Sequence, residues 1–147
     1  MKIFIASDHN GVKIKQELID YLENNGIEVS EIGINNFETD DYPDFAFKLC
    51  QLVVEQKCLG VLICGNGIGM SIAANKVKGI RAARVVNKDD AFKAKNHNGA
   101  NIITFGSNLD INIAKEIIDT FINTKDPNEE RHLRRVTKII AYENGEL

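Results

Sequence analysis

The chain has 147 residues, 44% of them hydrophobic and 27% charged, with a formal net charge of −3. That length fits one domain over residues 1–147 with a sizeable core of its own. The acidic balance gives no global reason to bind nucleic acid or an anionic membrane, so an anionic ligand would need a local basic cluster.

Lys2 to Ser7 reads as a strand running into Asp8-His9-Asn10-Gly11, and its apolar stretch is too short for a signal peptide or a membrane span. Ile14, Leu18, Tyr21 and Leu22 recur at helical spacing, and Asn25-Gly26 stops that helix. Ile27 to Ile32 alternates as an edge strand does, while Gly33 to Pro43 has no period and reads as a loop. Asp44 is placed to cap a helix carrying Phe45, Leu49, Leu52 and Val53. The apolar run Leu59–Cys64 predicts a buried strand, followed by a glycine loop and a short helix from Met70 to Lys76.

The alternation continues with a strand at Ile80–Val86, a helix at Asp89–Lys95, a strand at Asn101–Phe105 and a helix at Ile111–Ile122. Ile113, Ile117, Ile118 and Phe121 form the predicted buried stripe of that helix. Strands alternating with helices predict an α/β fold, a parallel sheet covered on both faces with its ligand crevice at the carboxyl ends of the strands. A last helix has Asp126 as its expected N-cap, Pro127 at its first position and Glu129 closing a capping box. Its stripe of Leu133, Val136 and Ile140 has no place left on the sheet, which suggests packing against a second subunit.

The most informative segment is Cys64-Gly65-Asn66-Gly67-Ile68-Gly69. The glycines turn the backbone sharply and leave N–H groups uncovered at the start of a helix, a nest suited to an anion. A thiolate beside such groups can abstract a proton and stabilise the resulting oxyanion. Taken alone, the loop also fits a tight turn without a ligand, and Cys64 fits a small buried apolar residue. Cys50 and Cys58 read as structural. An odd cysteine count, no C-x-x-C pair and no secretory leader lead us to expect a reducing cytoplasm. Asp8-His9 and His97-Asn98 each fit a turn as well as a site. The doubly wound topology favours function by bringing Asp8, His9 and Cys64 to one edge. Arg131 and Arg135, four apart on the last helix, fit a solvated basic face or a bidentate phosphate grip. The three histidines form no Cys/His cluster at ligand spacing, so no metal site is expected.

Six motifs in this order carry a family resemblance: Ser7-Asp8-His9-x-Gly11, Asp41-Tyr42-Pro43-Asp44, the Cys64–Lys76 block, Gly79-Ile80-Arg81-Ala82-Ala83, His97-Asn98-x-Ala100-Asn101 and Arg131-His132-x-x-Arg135-Val136. The chain closely resembles the type B ribose-5-phosphate isomerases, a group that includes allose- and galactose-6-phosphate isomerases. The resemblance implies a Rossmann-like three-layer fold with a five-stranded parallel sheet and an extra C-terminal helix. It also implies a homodimer, or a dimer of dimers, with active sites shared between subunits. The implied reaction interconverts ribose 5-phosphate and ribulose 5-phosphate through a cis-enediolate, in the non-oxidative branch of the pentose phosphate pathway.

By the same resemblance Cys64 is the base, and the amides of Gly65, Asn66, Gly67, Ile68 and Gly69 hold the oxyanion. Asp8 and His97 open the sugar ring, His97 reaching in from the partner subunit. Asn98 binds a substrate hydroxyl, Tyr42 borders the sugar, and His9, Arg131 and Arg135 clamp the phosphate. No metal or organic cofactor is implied. Asn66 stands where many members have a threonine that assists proton shuttling, and Ser107-Asn108 stands where a phosphate-binding arginine often follows the fifth strand. The rival expectations are an aldose 6-phosphate isomerase and a non-catalytic sugar-phosphate-binding protein.

Overall fold

The computed structural model describes residues 1–147. Its strands are β1 (Lys2–Ser7), β2 (Glu28–Glu31), β3 (Leu59–Cys64), β4 (Ala82–Arg84) and β5 (Ile102–Gly106). Its helices are α1 (Val12–Asn24), α2 (Tyr42–Gln56), α3 (Ile68–Ala74), α4 (Lys88–Asn96), α5 (Ile111–Asn123) and α6 (Glu130–Glu143), with a single 3-10 turn at His9–Gly11. The five strands form one all-parallel sheet in the order β2-β1-β3-β5-β4. This is the predicted α/β architecture.

The pleat of the sheet sorts side chains between two cores, because successive residues of a strand point to opposite faces. Ile3, Ile5, Val61, Ile63, Ile103 and Phe105 pack with α1, α4 and α5. Phe4, Ala6, Leu62, Cys64 and Ile102 pack with α2 and α3 on the other side. Each fully buried aliphatic or aromatic side chain contributes about 1.5–3 kcal/mol, so both faces hold the central strands firmly. The chain leaves β1 toward β2 on one side and toward β3 on the other, so the order reverses between β1 and β3. In open α/β sheets that reversal opens a crevice at the carboxyl ends of the two strands.

Several element ends and one buried stripe differ from expectation: α3, for one, runs Ile68–Ala74 instead of Met70–Lys76. Helix α2 begins at Tyr42 with Asp41 as its N-cap, so Asp44 lies inside the first turn rather than capping it. A proline is tolerated there because the first helical N–H groups have no partner to lose. Helix α6 begins at Glu130 with Glu129 as N-cap. The expected cap Asp126 instead accepts a 2.5 Å bond from Lys95, which leaves Pro127 in the preceding loop. Ile113 is 39% exposed, and Ala114 takes its place in the buried stripe of α5. Strand β4 is only three residues long, because the Ile80 N–H turns back to the Val77 carbonyl before it and the Val86 N–H turns to Asp90 of α4 after it.

Candidate active site

The β1–β3 register places Ala6 opposite Leu62 and Ser7 opposite Ile63. One step further along the pleat, Asp8 falls beside Cys64 on the α2/α3 face, and the Asp8 N–H extends the ladder to the Ile63 carbonyl at 3.1 Å. Both side chains are almost fully buried. They share a crevice of about 410 Å³ with Tyr42, Gly65, Asn66, Ile68, Gly69 and Ile72. Asp8 Oδ1 accepts the Asn10 N–H at 3.0 Å, which caps the 3-10 turn.

The loop after Cys64 is held from three sides. Gly67 has φ +79°, a conformation that favours glycine, and a Cβ there would lie 2.7 Å from the Phe105 backbone. Thr104 Oγ1 donates to the Gly67 carbonyl at 2.8 Å, and Arg84 Nε donates to the Asn66 carbonyl at 2.7 Å. The Gly67 N–H donates to Cys64 Sγ at 3.2 Å, and the Ile68 N–H donates to Asn66 Oδ1 at 2.9 Å. The amides of Gly65, Asn66, Gly69 and Met70 donate to no protein acceptor. Free amides on a braced loop are preorganised donors for an anionic oxygen. The Tyr42 ring lies across Gly69, where a Cβ would come within 2.6 Å of it.

His9 follows Asp8 but does not line the crevice; 40% of its side chain is exposed, and its Nδ1 lies 2.6 Å from Asp40 Oδ1. That hydrogen bond holds the imidazole above its ordinary pKa, with Asp8 adding in the same sense. No group of three or more His, Cys, Asp or Glu side chains is arranged to hold a metal ion. No helix is long and apolar enough to cross a membrane.

Comparison with known proteins identifies the family. The family model described as Ribose/Galactose Isomerase matches residues 3–139. The chain belongs to that family. It is 34% identical over 146 residues to the ribose-5-phosphate isomerase B of Mycolicibacterium paratuberculosis, covering 97% of this chain and 92% of that protein. The solved ribose-5-phosphate isomerase B of Clostridium thermocellum superposes with a TM-score of 0.92 at 42% identity, covering all of both chains. That of Mycoplasma genitalium with bound ribulose-5-phosphate gives 0.90 at 40% identity, covering 97% of this chain and 96% of that one. Within the family, the chain is a type B ribose-5-phosphate isomerase by sequence and fold.

Within this isomerase chain, the crevice gathers Asp8, Tyr42, Cys64, Gly65, Asn66, Ile68 and Gly69, with the Gly67 N–H on Cys64 Sγ. The other expected site residues lie elsewhere. His97 caps α4 and stacks on His132 of α6, ring centroids 4.2 Å apart and planes within 10°. Asn98 borders a separate groove of about 700 Å³ with Ile139 and Tyr142. Arg131 is paired with Glu129 at 2.9 Å, and Arg135 is exposed one turn further along α6.

Sequence reading missed Asp40, Arg84 and His132. It also missed Lys15, whose signal was available: Lys15 falls between Ile14 and Leu18 on the buried face of α1, where a charge demands a partner. Glu31 supplies it at 2.6 Å.

Proposed function

We propose that the chain interconverts D-ribose 5-phosphate and D-ribulose 5-phosphate by proton transfer between C2 and C1, with Cys64 as the base. The observation that carries this reading is the buried Cys64 sulfur beside the unpaired amides of Gly65, Asn66 and Gly69 in the Asp8 crevice. The Asp8 carboxylate and a His97 imidazole from the partner subunit open the furanose by moving the ring-oxygen and hydroxyl protons. The Cys64 thiolate then takes the C2 proton of the aldose. The electron pair moves into the C1–C2 bond, and the carbonyl oxygen gains the negative charge that the loop amides receive. The hydroxyl proton then passes from O2 to O1, and return of the carbon-bound proton from Cys64 to C1 as the C2 carbonyl forms completes the ketose, so no oxidant or reductant is consumed. Asn66, its Oδ1 occupied by the Ile68 N–H, offers its side-chain N–H to a substrate oxygen.

The phosphate is held by His9 and, from the partner, by the arginines at positions 131 and 135. This assigns a homodimer, or a pair of dimers, in which α6 lies across a neighbour. Leu133, Ile139, Ile140 and Tyr142 on α6, with Ile68 and Ile72 beside the crevice, supply exposed apolar surface for that contact. The same reading places the enzyme in the cytoplasm and in the non-oxidative pentose phosphate branch.

The test is kcat/KM for ribose 5-phosphate against allose 6-phosphate, with solvent deuterium followed at substrate C2. A preference for the pentose with exchange at C2 is the expected result. Binding without exchange would reject catalysis, and a preference for the hexose would reject the substrate.

A further inference from the structure

We propose that Asp40 is the positioning residue that makes His9 a phosphate ligand, gripping the imidazole through Nδ1 and leaving the Nε2–H for the phosphoryl oxygens. This rests on the reading that His9 holds the phosphate, and it names what fixes and charges that histidine.

The geometry specifies one orientation. Asp40 Oδ1 accepts the His9 backbone N–H at 3.1 Å and meets Nδ1 at 2.6 Å. Two bonds to one oxygen fix both the start of the side chain and the direction of its ring. Asp40 Oδ2 accepts from Asn35 Nδ2 at 3.1 Å, and the same amide donates to the Ser7 carbonyl at the end of β1, at 2.8 Å. Asn35 Oδ1 accepts from Lys15 Nζ at 2.7 Å, and Lys15 is itself paired with Glu31. The carboxylate is therefore braced to β1, α1 and β2. Only 4% of the Asp40 side chain is exposed, against 40% for His9. Both carboxylate oxygens are engaged, whereas the imidazole keeps one ring nitrogen without a protein partner.

Charge works in the same direction. The groups acting on His9 are Asp40 and Asp8, both carboxylates. A histidine without such partners is mostly neutral at pH 7, and either ring nitrogen can then present a lone pair that repels phosphate. With Nδ1–H committed to Asp40, the other ring nitrogen is left to face the phosphate, and the raised pKa extends to higher pH the charged form, which makes the stronger class of phosphate bond. Burial acts to raise the Asp40 pKa, but hydrogen bonds from His9 and Asn35 outweigh it and hold the carboxyl below its usual range.

The variant that tests this is Asp40→Asn, which keeps the size and an oxygen for the His9 N–H while removing the charge. Imidazole C–H resonances of the full-length protein are followed by NMR against pH, with and without inorganic phosphate, and KM and kcat are measured with ribose 5-phosphate. In the variant, the His9 midpoint should drop and phosphate affinity at pH 7 should weaken about tenfold. KM should rise by a similar factor while kcat moves less than about twofold. A second variant, Asn35→Ser, keeps the charge but loosens the brace, so its His9 midpoint should fall between the other two. An unchanged His9 midpoint in Asp40→Asn overturns the proposal, as does a lowered midpoint with undiminished phosphate affinity. Wild-type His9 resonances that ignore phosphate would instead reject His9 as the phosphate ligand.

Discussion

The sulfur of Cys64 and the backbone N–H of Gly67 are joined across the tight turn that ends β3, at 3.2 Å. The bond is possible because Cys64 falls on the α2/α3 face of the pleat and because Gly67 holds a left-handed conformation that folds its amide back.

Replacing that sulfur separates chemistry from architecture. Cys64→Ala removes few atoms, so the melting curve should stay close to wild type while turnover falls by ~10²–10⁴-fold or more. Cys50→Ala is the control, since burial pushes the Cys50 thiol up to about 12 and keeps it out of any thiolate role. Steady-state rates on both variants decide the matter, and near wild-type turnover in Cys64→Ala would remove the proposed base.

The two glycines flanking Ile68 should respond differently to a methyl group. At position 67 an added Cβ meets Phe105 backbone at 2.7 Å in a left-handed residue, so neither atom can move aside cheaply. Gly67→Ala should lose about 1–3 kcal/mol from overpacking, with backbone strain added, in urea unfolding. At position 69 the added Cβ meets only the ring of Tyr42, a side chain 38% exposed. Gly69→Ala should therefore keep its unfolding midpoint and raise KM as the tyrosine is displaced from the crevice. Equal stability losses in the two variants would contradict this account.

The sheet and its ligand edge were legible in the sequence because strand periodicity and glycine placement are local signals. Strand β3 has its expected bounds Leu59–Cys64, whereas α3 begins at Ile68 rather than Met70, so Ile68 and Gly69 belong to the helix and only Gly65–Gly67 to the loop. The N-terminus of α6 was misread because Asp126 is an excellent local cap but has a better distant partner in Lys95. The Asp40 brace was invisible for the same reason: it lies in an aperiodic loop and acquires meaning only from His9, 31 positions away. Motif likeness decides for His97 and Asn98, while Arg131 and Arg135 also stand out by their four-residue spacing on the last helix. One protomer alone does not bring them to Cys64.

That separation gives a direct assay for shared sites. Inactive Cys64→Ala and inactive His97→Asn proteins are each missing a different half of the proposed site. If His97 acts in the partner's crevice, a mixed dimer carries one site lacking both groups and one complete site. Mixing the two with subunit exchange should restore roughly a quarter of wild-type activity, because about half the dimers are mixed. Gel filtration at micromolar concentration should show a dimer or tetramer. No recovery of activity in a confirmed mixed dimer would place His97 outside the site.

The histidine stack predicts an acid-sensitive fold. Burial, then the neighbouring His97 and Arg131, hold His132 below the ordinary value of 6.5, and its Nε2 is buried without a partner. The unfolded chain takes that proton near pH ~6.5, whereas the folded chain resists it. The unfolded state therefore binds more protons below that pH, so this contribution to stability is complete above pH ~6.5 and is lost as pH falls through the lowered folded value. His9, raised by Asp40, acts in the opposite sense: its contribution is complete below pH ~6.5 and fades as pH rises through its raised value. His132→Phe keeps a ring for the stack and removes the proton site. Its melting temperature should fall less than that of wild type between pH 7 and pH 5. Identical acid losses in the two proteins would move the sensitivity away from His132.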